Sequence, residues 1–448
     1  MGSFGSMLTA VAGLRAQSFA MQNISGNIAN SSTPGFKRVD TGFADLVPEQ
    51  PIRRQIAGSV QSFSRATNTL SGEFLPTNLD TNIAVNGDGF FSVGQRPMQT
   101  TSIVRPSPEL YTRRGDFELD RQGFMVNGAG YALRGTMLDR ETGMPLATQN
   151  DGFIQISQEL LGRLDPRPTT TVTYNVTMPQ TPRVTNYQQG VAGTELLDTG
   201  ATGPLNGAGN VDSNDADTTA FLRSTLGGGS VTVYNAVGAI ESMNLRWGKV
   251  DAATNAYALF YESNSAGEAW RRVPGTATFN GDGSLNVNGI GPAAGVQINE
   301  ITFQTVAFDF GDSLAMLNDS NVQPSFIEQD GYGVGRYDGV GISEEGIVSI
   351  SYTNGQVVPV AEIALVGFYA PNALRRVDGG AFEATRESGD PSIAFARGTV
   401  LSGGVESSNT DISEEFAKMI VTQQAYTANT RVISTAQEMI REVLNVVR

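Results

Sequence analysis

The sequence predicts a mixed, mainly β fold in which two β-rich domains are nested in the chain between N- and C-terminal α-helices. Apolar residues recur at alternating steps of three and four at both ends, whereas across the middle they alternate with polar residues between turn signals. The chain has 448 residues, the length of about three domains at ~150 residues each. The two ends are expected to form one coiled-coil-like helical domain.

The N-terminal element is predicted to be a helix that ends at about Asn30. Its apolar stripe has heptad-like spacing, with Ser18 and Ser25 at two of the seam positions. The stripe comprises Phe4, Met7, Val11, Leu14, Met21 and Ile28. Because Pro34 and Gly35 cannot continue a helix, they mark its end.

This N-terminal helix carries almost no charge. Arg15 is the only charged residue between positions 1 and 32, although a coiled coil exposed to water normally carries Glu and Lys beside its seam. Two interpretations are open: the chain ends pair within one monomer, or they pack among several subunits. The uncharged flanks favour the second, and head-to-tail contacts that do not close generate helical filaments.

Strands separated by turn residues are predicted after this helix and again before the C-terminal one. The expected hairpins are 83–85 with 90–93, 111–127 turning at 120–123, and 347–352 with 357–358 across Asn354 and Gly355. A further strand is expected at 362–369. We assign these strands to one domain formed by 33–147 and 332–404.

The region 148–331 is predicted to be an inserted β-rich domain with long loops. Stretches rich in Gly, Asn, Asp and Thr separate its short strand candidates. A partly disordered linker is the alternative, but alternating residues at 243–247 and 301–310 argue against it. Asp212, Asp215 and Asp217 could in principle hold calcium or act as paired acids, yet solvated loop charges explain them more simply.

The C-terminal element is predicted to be a helix over 411–448, about 55 Å long at 1.5 Å per residue. Asp411 followed by Glu414 resembles a capping box at its start. One series of residues repeats every seven positions: Ile412, Met419, Tyr426, Ile433, Ile440 and Val447. Its companion series is Phe416, Gln423, Thr430, Gln437 and Leu444. Together, 1–32 and 405–448 are expected to form the terminal helical domain.

Composition excludes several classes of function. The chain has no cysteine and no histidine, which rules out disulfides, thiolate nucleophiles, Ser-His-Asp triads and zinc sites built on Cys or His. A net charge of −15 disfavours nucleic acid and anionic lipid as partners. Neither a Sec-type signal nor a run of about 18 apolar residues is present. The sequence therefore predicts a protein without catalytic residues, cofactor, metal, nucleic-acid partner or membrane insertion.

Several motifs, in order along the chain, resemble the signatures of bacterial flagellar rod and hook proteins. They lie at 27–30, 32–37, 84–91, 111–117, 120–124, 406–411, 419–420, 424–429 and 431–433. The motif residues singled out are Asn27, Asn30, Pro34, Gly35, Phe36, Gly87, Gly89, Phe90, Phe91, Asn409, Gln424, Tyr426 and Asn429. Distal-rod subunits lack a large central insertion, so the region 148–331 makes the chain look more like the hook members of the family.

The resemblance implies a structural subunit that polymerises into a curved tube and transmits torque as a universal joint. The terminal helices would form the inner, channel-lining layer, the domain of 33–147 and 332–404 the middle layer, and 148–331 the outer layer. It also implies an extracellular location in the hook and export without a cleaved Sec signal. Other copies of the chain, rod subunits, hook-associated junction proteins, the hook cap and the flagellar export apparatus would be its partners. A distal rod subunit with an unusual insertion and a secreted β-rich adhesin are the alternatives.

Overall fold

The computed structural model describes residues 3–46, 59–96, 108–140, 142–146, 152–311 and 314–446. It divides into two compact units. Unit 1 contains Met1–Leu161, Asp338–Ser351 and Val357–Arg448, and unit 2 contains Gly162–Tyr337 and Tyr352–Gln356. The mainly β fold with helices at both ends is confirmed. The finer division into three domains stays a prediction.

Both predicted terminal helices are present. Helix α1 spans Ser3–Ala29, α2 spans Asp215–Ser224, and α3 spans Ile412–Val446. Asp411 starts α3 as predicted, because its Oδ1 atom accepts hydrogen bonds from the backbone N–H groups of Ser413 at 2.7 Å and Glu414 at 3.2 Å. The side chains of Phe4 and Leu444, and the whole of Val447, lie outside the described residues.

Short strands make up most of the rest of unit 1. Those before Leu161 are β1 (Val39–Leu46), β2 (Ser59–Ala66), β3 (Phe74–Pro76), β4 (Ile83–Asn86), β5 (Phe90–Gln95), β6 (Leu110–Thr112), β7 (Phe117–Leu119), β8 (Met125–Asn127), β9 (Tyr131–Met137) and β10 (Gly152–Phe153).

Unit 2 has its own strands, and the chain then returns to unit 1. The strands of unit 2 are β11 (Arg163–Leu164), β12 (Thr171–Pro179), β13 (Val211–Asp212), β14 (Leu226–Tyr234), β15 (Ile240–Asp251), β16 (Ala256–Ser265), β17 (Glu268–Arg272), β18 (Ala277–Phe279), β19 (Leu285–Asn288), β20 (Gln297–Ile298), β21 (Ile301–Thr302), β22 (Ala307–Asp309), β23 (Ala315–Leu317) and β24 (Gln323–Gln329). The later strands are β25 (Gly335–Ile342), β26 (Ile347–Tyr352), β27 (Val357–Glu362), β28 (Leu365–Val366), β29 (Arg375–Val377), β30 (Ala381–Glu383), β31 (Thr399–Ser402) and β32 (Gly404–Glu406).

The main sheet of unit 1 is antiparallel, in the order β26–β27–β9–β5–β6–β30–β29. One face carries an aromatic cluster, in which the Phe90 ring lies edge-on to Phe368 at 5.9 Å and to Phe382 at 5.8 Å between ring centroids. The pairs β1–β2, β3–β32 and β4–β31 are separate two-stranded sheets. The last two join strands from opposite ends of the sequence. They fix both chain ends to the strands of unit 1, which together are called the β body below.

The hairpin predicted for 83–93 is wrong, although both of its strands exist. Strand β4 pairs with β31, whereas β5 pairs with β6, β9 and β28. The backbone N–H of Gly398 donates to the Asp88 carbonyl at 2.8 Å, which places the start of β31 beside the corner between β4 and β5. The corner therefore separates two sheets, because a more distant segment pairs with β4 in place of its neighbour in sequence.

The other predicted hairpins are largely correct. Strands β7 and β8 pair across the turn at 120–123, and β26 pairs with β27 across Asn354 and Gly355. Strand β6 does not belong to the 117–127 hairpin and pairs with β5 and β30. The strand predicted for 362–369 is wrong in its bounds, because Glu362 is the last residue of β27 and the one strand that lies wholly within this range is β28, Leu365–Val366.

The two larger sheets of unit 2 pack around an apolar core, while β20 and β21 form a separate two-stranded sheet and a second apolar cluster lies around α2. One sheet runs β13–β17–β16–β15–β14 with β18 and β19 attached, and the other places β22, β23 and β24 beside β12. Trp247 Nε1 donates to the Tyr174 hydroxyl at 3.0 Å, and that hydroxyl donates to the Gly228 carbonyl at 2.5 Å. The polar groups of Trp247 and Tyr174 are therefore both hydrogen-bonded inside this core, as a dry interior requires.

Helix α2 accounts for the acidic cluster of unit 2. Asn214 caps the helix, since its side chain accepts a hydrogen bond from the backbone N–H of Asp217 at 2.8 Å. Asp215 and Asp217 lie in the first turn, where negative charge is favourable, and Asp212 accepts a hydrogen bond from Asn206 at 2.7 Å. These carboxylates serve local structure. Phe221 on the other side of α2 packs against Phe260 and Trp270.

Candidate assembly interface

Helices α1 and α3 pack against each other as an antiparallel pair within unit 1. Asn27, near the end of α1, contacts Glu415 at the start of α3, whereas Gly13 lies against Asn429, two heptads further along α3. A Cβ atom on Gly13 would lie 2.9 Å from Asn429 Oδ1, so only glycine allows the two helices to approach this closely without movement of Asn429.

The seam between the two helices is formed by small and polar residues. On α1 the buried positions are Ala10, Gly13, Ala16, Ala20, Ile24 and Asn27. On α3 the residues buried or half-buried at seven-residue spacing are Glu415, Thr422, Asn429 and Ala436. Ile24 is the only large apolar side chain among them. Burial of so little apolar surface contributes little to pairing, at roughly 25 cal/mol per Å².

Larger apolar side chains lie beside this seam. The predicted stripe residues Met7, Leu14, Met21, Ile28, Met419, Ile433 and Ile440 are half-buried, whereas Val11, Ile412, Phe416 and Tyr426 are exposed. The buried positions 10, 13, 20, 24 and 27 of α1 each lie one residue before a predicted seam position. The face of α1 that is buried is therefore rotated by about 100° from the face that was predicted. The companion series of α3 is displaced in the same way. Its residues Phe416, Gln423, Thr430 and Gln437 face outward.

The helical pair thus presents an apolar surface outside its own seam. Leu8 is 70% exposed, Phe416 50%, Ile420 56% and Val421 65%. Phe416, Ile420 and Val421 lie on adjacent turns of α3, whereas Leu8 lies towards the other end of the pair. Several exposed apolar side chains on neighbouring turns are typical of interaction surfaces. Gln424 of the family motif is also exposed on α3. That these residues contact other copies stays a prediction, because the structure contains a single chain.

Asn27 joins three segments at the end of the helical pair. It is 2% exposed. Its Oδ1 atom accepts a hydrogen bond from the Val39 N–H at 2.9 Å, and its Nδ2 atom donates to the Val39 carbonyl at 3.0 Å and to Glu415 Oε2 at 2.9 Å. The side-chain amide therefore pairs with the first residue of β1 and with α3 at once.

Residues 30–36 lead the chain from α1 into the β body. Asn30 Nδ2 donates to the Gly26 carbonyl at 2.8 Å, which satisfies one free carbonyl at the helix end. Gly35 has φ +65°, and a Cβ atom there would lie 2.6 Å from the Arg113 carbonyl carbon. Pro34 precedes this tight position, and the guanidinium of Arg376 lies 4.8 Å from the centroid of the Phe36 ring.

A buried ion cluster lies directly after this turn. Lys37 Nζ is 2.5 Å from Glu406 Oε1, and Arg113 Nη1 is 3.4 Å from Glu406 Oε2. The side chains are 1%, 2% and 3% exposed for Lys37, Arg113 and Glu406. Burial lowers the pKa of Lys37 and of Arg113, and the Glu406 carboxylate opposes that decrease in both. The cluster links the N-terminal turn, the β body and the strand that leads to α3.

Asn409 and the glycine-rich motif complete the junction. Asn409 Oδ1 accepts from the Arg38 N–H at 2.7 Å, and its Nδ2 atom contacts the Leu70 carbonyl at 3.2 Å. Arg113 Nη2 donates to the Gly87 carbonyl at 2.7 Å. Gly87 has φ +96°. The motif residues Gly89, Phe90 and Phe91 follow on β5 and its preceding turn, with both phenylalanines buried in the sheet.

The sequence motifs meet at this junction, yet its three charged residues were not predicted as site residues. Lys37, Arg113 and Glu406 each stand inside a quoted motif. A signal was available for Lys37, because a lone charge directly after Pro34, Gly35 and Phe36 is a candidate for a buried pair. The motifs at 111–117 and 406–411 are rich in polar residues and contain no such signal. Their pairing spans 369 residues between Lys37 and Glu406, which one sequence does not reveal.

Comparison with known proteins places these segments in one family. The flagella basal body rod protein model matches 7–37, the flagellar hook protein FlgE/F/G D1 domain matches 84–188, and the flagellar basal body rod FlgEFG protein C-terminal model matches 401–446. These matches contain α1, the junction and α3, in the family's order. The chain belongs to the flagellar rod and hook family.

Full-length similarity within the flagellar rod and hook family is to hook proteins. The flagellar hook protein FlgE of Rhizobium meliloti is 29% identical, and the alignment covers 100% of both chains. FlgE of Salmonella typhimurium is 27% identical over 97% of this chain and 98% of its own. The crystal structure of Helicobacter pylori flagellar hook protein FlgE2 has a TM-score of 0.50 at 14% identity, covering 74% of this chain and 100% of that one, which shows similarity of fold.

None of the helices described is both long and apolar enough to cross a bilayer. Among the described residues, no group of three or more Asp or Glu side chains is placed so that it could hold a metal ion.

Proposed function

We propose that the chain is a structural subunit of the flagellar hook and polymerises through its terminal helices into a curved, hollow tube. The observation that carries the proposal is the distribution of side chains on α1 and α3. Small and polar residues occupy the seam within the chain, whereas Leu8, Phe416, Ile420 and Val421 remain exposed. Their burial among neighbouring copies would supply the free energy that the internal seam lacks.

Within this proposal the parts of the chain have different mechanical roles. The terminal helices, 1–32 and 405–448, would form the inner layer around the channel, and 33–147 with 332–404 the middle layer. The region 148–331 would form the outer layer, whose contacts must separate and re-form as a bent tube rotates. Polar, hydrated contacts suit that movement better than dry, interlocked packing. Torque would pass through the helical layer, and the tube would act as a universal joint.

The same arrangement suits export and the proposed location in the extracellular hook. The chain has no cysteine, so no disulfide opposes passage of an unfolded chain through a narrow channel. We propose that export precedes folding and needs no cleaved Sec signal. Rod subunits, hook-associated junction proteins and the hook cap would be its neighbours. Flagellar hook proteins are a structural family, and we propose no catalytic role for this chain.

Electron microscopy of the purified full-length chain tests the proposal. The net charge is −15, so free subunits repel one another and salt should promote assembly by screening that repulsion. Curved, bendable tubes are expected at high protein and salt concentration. Straight, stiff tubes would indicate a rod subunit, and a chain that stays monomeric would contradict polymerisation.

Amide hydrogen exchange should show that the chain ends become ordered on assembly. An isolated helix that has Arg15 as its single charge and contains Gly5, Gly13 and Gly26 is marginal in water. Residues 5–28 are therefore expected to exchange freely in the monomer and to be strongly protected in the tube. Strong protection of this segment in the monomer would show that α1 folds before it meets other copies.

A further inference from the structure

A buried side-chain amide lies where the helical pair meets the β body of unit 1. Asn27 uses its oxygen and both amide hydrogens, as described above, to bind the Val39 backbone and Glu415. Helix α1 is thereby attached to the first residue of β1 and to the first turn of α3. No other side chain described in this region joins these three elements.

Glu415 is held in position from its other side. Its side chain is 1% exposed, and its second oxygen, Oε1, accepts a hydrogen bond from Lys418 Nζ at 2.8 Å. Both carboxylate oxygens are therefore engaged, one by Asn27 and one by Lys418. Because Glu415 has one fixed position on α3, the bond from Asn27 fixes the position of α3 as well as that of α1.

A second amide repeats the attachment one turn earlier on α1. Asn23 Nδ2 donates to Thr41 Oγ1 at 2.8 Å. Asn23 and Asn27 are four residues apart and so lie on one face of the helix. Two consecutive turns of α1 are therefore hydrogen-bonded to β1, and two attachment points along an axis define its direction where one point would leave it free to tilt.

We propose that Asn27, acting through Glu415, is a positioning residue that sets the angle between the helical pair and the β body, and thereby the curvature of the assembled tube. This inference rests on the proposed function. Every subunit of the polymer has this angle, and a bent tube requires subunits on its inner and outer sides to depart from the preferred value in opposite directions. A change in the preferred angle therefore alters both the helical repeat and the curvature of the tube. A residue that acted only on folding would alter stability and leave curvature unchanged.

Exchange of one amide for a carboxylate tests the inference. Asn27→Asp keeps the acceptor for the Val39 N–H, but it places a carboxylate oxygen against the Val39 carbonyl and against Glu415, neither of which can donate. Asn27→Asp/Glu415→Gln restores a donor at position 415 that faces the new carboxylate. Asn288→Asp is the matched control, because this substitution adds the same charge at an exposed position of unit 2. The Asn288 oxygen accepts a hydrogen bond from the Ile290 N–H, and an aspartate there can keep that bond.

Electron microscopy of the tubes gives the first readout. Wild-type and Asn288→Asp tubes are expected to share one curvature and one helical repeat. Asn27→Asp should change both or prevent assembly, and the double variant should return them towards wild type. The inference is overturned if Asn27→Asp tubes match wild type, or if the double variant is no closer to wild type than the single one. Failure of the wild-type chain to form tubes would instead overturn the proposed function.

Spin labels measure the angle directly. The chain has no cysteine, so Arg15→Cys and Glu118→Cys create unique labelling sites on α1 and on β7. Arg15 is 12 residues from Asn27, about 18 Å along the helix, so a tilt of roughly 10° moves the label by about 3 Å. With labelled chains diluted into unlabelled tubes, Asn27→Asp should shift the inter-label distance and Glu415→Gln should reverse the shift. An unchanged distance would contradict the inference.

Discussion

A chain that lacks its last fifteen residues, 434–448, is expected to remain monomeric under conditions in which the full chain forms tubes. This deletion removes the distal part of α3, including the exposed Met439 and the seam residue Ala436. The β strands of both units lie outside the deleted segment, so they should stay folded. Sedimentation would measure the loss of polymer, and amide exchange in β4 and β5 would verify that the β body persists.

Point substitutions separate the outer surface of α3 from its internal seam. Phe416→Ser and Ile420→Ser remove exposed apolar side chains without touching Glu415 or the rest of the seam. Each should raise the concentration needed for assembly about tenfold or more, since a loss of about 1.4 kcal/mol corresponds to a factor of ten. Val287→Ser, at a 55% exposed position of unit 2, is the matched control and should have little effect on tube formation.

The deletion of 434–448 has its own contradicting outcome. Tubes that form normally from that shortened chain would show that distal α3 is dispensable.

Local rules were sufficient to predict the two terminal helices. Asp411 begins α3 with the expected side-chain cap, and α1 ends before Pro34 and Gly35. Such signals act over a few residues, so one sequence contains them. Helix α2 was not predicted even though Asn214 is a good N-cap, because Gly-rich and Asp-rich neighbours suggested a loop.

Strand pairing was predicted less well because it depends on distant residues. The hairpin at 83–93 had the correct strands and a suitable turn, yet β4 pairs with β31, more than 300 residues away in sequence. Heptad spacing likewise identified the helical stripes but not which neighbouring stripe faces the partner. Small residues such as Gly13 and Ala20 fill the seam because close backbone approach matters more there than apolar area.

Glu406→Gln is expected to destabilise unit 1 by about 3–5 kcal/mol, the range for breaking a buried ion pair. Glu406 faces two cations, Lys37 and Arg113, and its Oε1 atom also accepts a hydrogen bond from the Gly72 N–H at 2.8 Å. Glutamine has nearly the same shape, and its oxygen can keep the bond from the Gly72 N–H. The change removes the negative charge and replaces the acceptor that faces Arg113 by an amide N–H donor. Two buried cations would then lack a counterion.

Amide exchange in β4 and β5 measures the predicted loss, which should accelerate exchange there by roughly two to four orders of magnitude at 1.36 kcal/mol per factor of ten. Glu383→Gln is the matched control. It breaks an ion pair with Arg375 that lies on the surface of the same unit, and the side chains are 36% and 67% exposed for Glu383 and Arg375. This pair should contribute no more than about 1 kcal/mol. Equal effects of the two substitutions would show that burial of the Glu406 cluster adds nothing to stability.

The pH dependence of the Glu406→Gln variant gives an independent test of the same cluster. Burial already lowers the pKa of Lys37, and loss of the carboxylate should lower that pKa further. Between the folded pKa and the ordinary lysine value of 10.5, the unfolded chain then binds more protons than the folded chain, so the free energy of unfolding rises with pH. The pKa of Lys37 is lowered in the wild type as well, so the deficit of Glu406→Gln should shrink as pH rises from the folded pKa of the variant to that of the wild type, above which both proteins gain stability equally up to 10.5. A deficit independent of pH in that range would mean that the charge on Lys37 is not its cause.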